Sequence, residues 1–95
     1  MTKYTLTQNN NQISLSVSGG VLPKELVESA ISRADIRSNI QVLFYKKDGT
    51  ERTLLGKLDP GGRKNRDAVT LETAEGWKAF RLDRVISLLY VESDI

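Results

Sequence analysis

The residues able to do chemistry are few and unevenly placed. The chain has no His and no Cys among its 95 residues. That removes the usual zinc ligand sets, the Ser–His and Cys–His nucleophile pairs, and the general base that titrates nearest neutrality. The carboxylates are scattered, with no close pair on neighbouring strand positions, so neither a carboxylate-only hydrolase nor a metal site is expected. What remains is cationic. Eight basic and three acidic residues fall between Arg37 and Arg66, while the rest of the chain is acidic on balance and the net charge is only +2. A basic segment of this kind favours an anionic partner over a neutral one.

Within this set, three groupings stand out. Arg63, Lys64 and Arg66 follow Asp59-Pro60-Gly61-Gly62 in a Gly-rich loop, where basic side chains suit phosphate contacts, the alternative being a solvated loop. Gly61-Gly62 itself is no phosphate fingerprint, because the Walker spacing and a following helix are both missing. Arg81, Asp83 and Arg84 allow the carboxylate to hold one guanidinium and leave the other for a phosphate or carboxylate; the alternative is a purely structural ion pair. Trp77 and Arg81 share one face of an alternating run, an aromatic plane beside a charged fork, which suits a nucleotide platform. The competing role for Trp77 is a cap over the core. Arg52, Lys46, Lys47 and Lys57 extend the patch if they share a face.

The elements that would position these residues are short. Residues 3–8 and 12–18 alternate apolar and polar around Asn9-Asn10-Asn11, which reads as a β-hairpin, and Ser18-Gly19-Gly20 breaks it. Pro23 opens a helix over about 23–34, with Glu25 and Glu28 early and Leu26, Val27, Ala30, Ile31 and Ala34 at three-and-four spacing. A strand from about residue 40 meets Lys47-Asp48-Gly49-Thr50, where Asp-Gly predicts a tight primed turn, and returns over 51–58. Three further strands are expected over 68–73, 77–82 and 85–91, with a kink at Asp83-Arg84. The fold class is therefore mainly β (α+β): an N-terminal hairpin, one short helix, then a five-stranded antiparallel Sm-like or SH3-like barrel. Ninety-five residues suit a single domain, with 1–20 as a hairpin extension and 22–91 as helix plus barrel. Leu26, Val42, Phe44, Leu58, Phe80 and Leu82 are the expected core.

The run Phe80-Arg81-Leu82-Asp83-Arg84-Val85 resembles the last strands of WYL domains, small Sm-like barrels of bacterial regulators. The stretch from Val42 through Lys46-Lys47-Asp48-Gly49-Thr50 to Arg52 looks like their opening hairpin. Gly76-Trp77-Lys78-Ala79-Phe80-Arg81-Leu82-Asp83 is similar to the ending of short stand-alone WYL-like proteins of bacteriophages, with Lys78 where those relatives usually carry Arg. The resemblance spans roughly residues 22–91. The tripeptide that names the family is absent, Val69-Thr70-Leu71 standing in its place, and the N-terminal hairpin is an addition. It implies a nucleic-acid or nucleotide-type ligand.

The resulting expectation is a non-enzymatic accessory protein without cofactor or metal. It binds nucleic acid or a nucleotide-type anion through Arg52, Arg63, Lys64, Arg66, Trp77, Lys78, Arg81 and Arg84. The alternative is a protein-interaction module, such as an inhibitor of a host factor or a self-assembling oligomer subunit, and a homo-oligomer, a dimer before any other, is expected from the thin core and the spare N-terminal hairpin. The N-terminus lacks a signal-peptide run and no stretch reaches membrane-span length, so the expected location is the cytoplasm, away from membranes.

Overall fold

The computed structural model describes residues 3–58 and 67–93, with Lys3 described by its backbone. Among the described residues, seven antiparallel strands form one sheet with a single α-helix against it. In chain order they are β1 (Lys3–Asn9), β2 (Gln12–Ser18), α1 (Lys24–Arg33), β3 (Asn39–Tyr45), β4 (Glu51–Leu58), β5 (Ala68–Thr73), β6 (Gly76–Arg81) and β7 (Val85–Val91), with a single 3₁₀ turn at Leu82–Arg84 between the last two. The sheet order is β1-β2-β7-β3-β4-β5-β6.

The expected closed five-stranded barrel is corrected to an open sheet whose edges are β1 and β6. The reason lies in β7. Closing the last five strands on themselves would bring β6 beside β7. Both edges of β7 are already taken, by β3 through Gln41–Leu89 to Phe44–Val85 and by β2 through Gln12–Val91 to Ser16–Ser87. The N-terminal hairpin is thus continuous with the sheet. Ile13, Leu15 and Val17 of β2 are buried in the core beside Leu88 and Tyr90 of β7.

Although open, the sheet curls strongly. Two strands separate β3 from β6, about 14 Å of lateral distance in a flat sheet. Yet the Phe44 and Phe80 rings lie 6.0 Å apart at an interplanar angle of 37°. Gly56 is where β5 begins to pair with β4. A Cβ built there would strike the Glu72 carbonyl oxygen, so β4 and β5 approach closely because that position has no side chain.

The helix starts where Pro23 fixes φ, and the Pro23 carbonyl accepts bonds from the Leu26 and Val27 amides at 3.0 and 3.1 Å. Val27 and Ala30 are buried against the sheet, and Leu26 packs half-buried at the margin of the core, so the expectation for Leu26 holds only in part. Val42, Phe44, Leu58, Phe80 and Leu82 are buried as expected.

The turn between β3 and β4 differs from the primed type. Gly49 N–H donates to the Lys46 carbonyl at 2.9 Å, Lys46 N–H donates to the Thr50 carbonyl at 2.8 Å, and Gly49 sits at φ 86°. That is a three-residue loop, a type I turn followed by a left-handed glycine. The Asp48 carboxylate accepts the Thr50 N–H and hydroxyl at 3.0 and 2.6 Å, which locks the loop tip. Chiefly through the hydroxyl bond, this lowers the Asp48 pKa.

Candidate functional site

The curl leaves a cleft where β6, an edge strand, faces the tip of the β3–β4 hairpin. It encloses about 330 Å³. Its floor is aromatic and aliphatic: Phe44 and Tyr45 from the end of β3, Phe80 and Ala79 from β6, and Ala68 from the start of β5. Its rim is cationic: Lys46 and Lys47 from the hairpin turn, Arg52 from β4, Arg81 from the end of β6 and Arg84 from the 3₁₀ turn. Among the described residues no carboxylate lines it.

Two of the rim cations are held in place. Arg81 donates from Nε to Asp83 Oδ1 at 3.0 Å and from Nη2 to Asp83 Oδ2 at 3.1 Å, a two-point pair that fixes the guanidinium plane. The hydrogen bond from Arg81 holds the Asp83 carboxyl below its ordinary range, and the same bond raises the Arg81 pKa. Arg84 donates from Nη1 to the Lys46 carbonyl at 3.2 Å, clipping the 3₁₀ turn to the hairpin tip across the cleft. The expectation that Asp83 holds one Arg and leaves the other free is therefore refined. Asp83 takes Arg81, and Arg84 is anchored by a backbone carbonyl through one of its five N–H donors. At the far end of the β5 entry, Lys24 Nζ meets Asp67 Oδ1 at 2.6 Å, and this hydrogen bond lowers the Asp67 pKa.

The eight expected site residues divide into three groups. Arg52, Arg81 and Arg84 converge on the cleft. Trp77 and Lys78 lie on the same strand but outside the lining; Trp77 is 55% exposed, on the face it shares with Ala79 and Arg81. Four residues of strand separate Trp77 from Arg81, about 13 Å. Arg63, Lys64 and Arg66 lie outside the described residues. Of the hairpin cations, Lys46 and Lys47 join the rim, whereas Lys57 lies at the other end of β4, outside the lining. Sequence reasoning missed the floor, since Phe44 and Phe80 read only as core and Tyr45, Ala68 and Ala79 carried no signal. One sign was present: Lys46-Lys47 and Arg52 straddle a single turn, so they had to sit at one hairpin tip.

Among the described residues, no group of three or more His, Cys, Asp or Glu is placed to hold a metal ion, and no helix is long and apolar enough to cross a membrane. Comparison with known proteins found no matching family model, no matching curated protein and no matching solved structure.

Proposed function

We propose that this chain binds a nucleic acid or nucleotide-type anion in the cleft between β6 and the β3–β4 hairpin tip, and that it acts by holding that ligand and not by catalysis. The observation that carries the reading is the convergence of Arg52, Arg81 and Arg84, with Lys46 and Lys47, over the Phe44–Phe80 floor. An apolar base above an aromatic floor and a phosphate against two immobilised guanidinium forks use both halves of such a site. The resemblance of the Phe80–Val85 run and of the hairpin tip to WYL domains points to the same ligand class. It also suggests a phage-encoded accessory role in the host cytoplasm.

The reading predicts a salt-dependent affinity. Each neutralised phosphate of a single strand releases condensed counterion, with a slope of log K against log salt of roughly −0.7 per contact. Three engaged arginines give about −2, and Arg52→Ser should flatten the slope by about 0.7. Arg81→Lys should weaken binding at an unchanged slope, because Lys keeps the charge and loses the planar fork. Trp77 then separates a long ligand from a short one. An oligonucleotide following β6 past the cleft reaches it, and Trp77→Ala lowers affinity by about 1–3 kcal/mol. A mononucleotide seated in the cleft does not reach it and is unaffected. Fluorescence anisotropy with single- and double-stranded oligonucleotides, and calorimetry with mononucleotides, both at low salt, read these effects. No binding of any of them at about 100 μM, the weak end of ordinary non-specific affinity, overturns the proposal. So does binding indifferent to both Arg52→Ser and Arg81→Lys.

A further inference from the structure

The opposite edge of the sheet carries a separate signal, independent of the cleft. We propose that the outer edge of β1 pairs antiparallel with β1 of a second copy of this chain, across a two-fold axis at Leu6. The direction of the backbone groups follows from one bond. Glu92 N–H donates to the Asn11 carbonyl at 2.6 Å, so the odd-numbered residues of β2 turn their backbone groups to β7 and the even-numbered ones to β1. Through the β1–β2 register, Asn9–Gln12 to Lys3–Ser18, Asn9, Thr7, Thr5 and Lys3 then bond inward. Tyr4, Leu6 and Gln8 therefore turn both N–H and C=O away from the sheet.

That outward row is complementary to itself. β1 has seven residues with Leu6 at its centre. Pairing two copies about Leu6 sets Leu6 against Leu6, Tyr4 against Gln8, Thr5 against Thr7 and Lys3 against Asn9. All three outward residues of each copy meet outward residues of the other, whereas a slip of two positions loses part of the ladder. Lys3 is the only charged residue of β1, and it meets Asn9, so no like charges face each other across the axis. Side chains support the same pairing. Tyr4 and Leu6 stand opposite Val17 and Leu15, on the core side of the sheet, yet are 52% and 66% exposed. The partner's Leu6 extends that apolar face beyond its present edge. It also covers a mainly apolar groove of about 230 Å³ between β1 and α1, walled by Tyr4, Leu6, Leu26 and Tyr90, with Ser29 and Arg33 on its helix side. The other edge is defended differently, since β6 carries Lys78 and Arg81. β1 has no Pro and no bulge, and its one charged residue, Lys3, is at its first position.

The chain has no Cys, which makes the register directly testable. Residues in a hydrogen-bonded antiparallel pair have Cα atoms about 5.5 Å apart, within the roughly 4.4–6.8 Å that a disulfide spans. Leu6→Cys should oxidise to a covalent homodimer. Gln8→Cys should not, since the two Gln8 positions lie four residues apart, about 13 Å. A mixture of Tyr4→Cys and Gln8→Cys chains should give the mixed dimer. Sedimentation of the unmodified chain up to about 300 μM should show a dimer, and Leu6→Lys should weaken it by about tenfold or more. Leu6 is largely exposed, so an unchanged melting curve at a concentration where both chains are monomeric verifies that the Lys variant is folded. A monomer throughout, a dimer unmoved by Leu6→Lys, or Gln8→Cys cross-linking as readily as Leu6→Cys each overturn the proposal. The first of these leaves the edge to a strand from a different protein.

Discussion

Thr70 is buried between Val69 and Leu71, also buried, so three successive residues of β5 are shielded from water. Among the described residues its hydroxyl has no hydrogen-bond partner. A buried, unsatisfied hydroxyl costs about 1–3 kcal/mol relative to a bonded one, and replacing it by an apolar group of the same shape removes that penalty. Val keeps both the shape and the β-branch. Thr70→Val should therefore raise stability by about 1 kcal/mol, read as a higher urea midpoint with an unchanged m value. An unchanged or lower midpoint would mean that the hydroxyl is satisfied. Residues differ here in how legible they were. That Asp83 holds a neighbouring guanidinium was legible because opposite charges lie within two residues of it, and the bond formed is the one to Arg81. The anchoring of Arg84 on the Lys46 carbonyl was not, because its partners are 38 positions apart. Nor was the burial of Thr70, since a polar residue within an alternating run reads as solvent-facing.

The hairpins and the bend show where local chemistry specifies an element and where it leaves the geometry open. Asp48-Gly49 located the β3–β4 turn correctly. The turn type instead depended on the Asp48 carboxylate bonding Thr50 and on Gly49 supplying the left-handed angle. The β1–β2 turn has Asn10 at φ 57°, matching the tolerance of Asn for that region. Gly56 lies inside a strand and not in a turn, and it matters because of what it faces. β4 pairs with β3 over seven positions and with β5 over only Gly56, Lys57 and Leu58. Pairing with β5 thus begins at the residue whose Cβ would strike the Glu72 carbonyl, and there and at Lys57 the strand has a neighbour on both sides. That obstacle is backbone, with no flexible end to swing aside. Gly56→Ala should therefore destabilise by about 2–3 kcal/mol, although Ala outranks Gly in an ordinary strand interior. Chemical denaturation reads the sign directly, and a neutral or stabilising Ala would show that β5 moves away without loss.

At the scale of the molecule, strand number and strand limits followed from alternation and turn residues, whereas closure did not. Alternation gives each strand one inward face but says nothing about which two edges meet. Here β2 takes the edge of β7 that closure required, and the curled sheet stops at β6. The cleft exists because of that arrangement: β6 approaches the β3–β4 hairpin tip without pairing to it, and the space between keeps an aromatic floor and a cationic rim. What holds the approach is packing across the curl, with the Phe44–Phe80 contact at its centre. Both rings are at least nine-tenths buried, so full truncation to Ala costs about 3–5 kcal/mol each. That is a large share of the roughly 5–15 kcal/mol available to a small domain. Leu replacements keep most of the volume and leave a folded chain to measure. If β3 and β6 touch only through this curl, Phe44→Leu and Phe80→Leu should be coupled by about 0.5–1.5 kcal/mol in a double-mutant cycle, the range for aromatic pairs in contact. In a flat sheet the same residues would stand too far apart to interact, and their effects would add within about 0.5 kcal/mol. Urea titrations of the four proteins distinguish the two cases. Additivity would remove the curl and, with it, the cleft on which ligand binding depends.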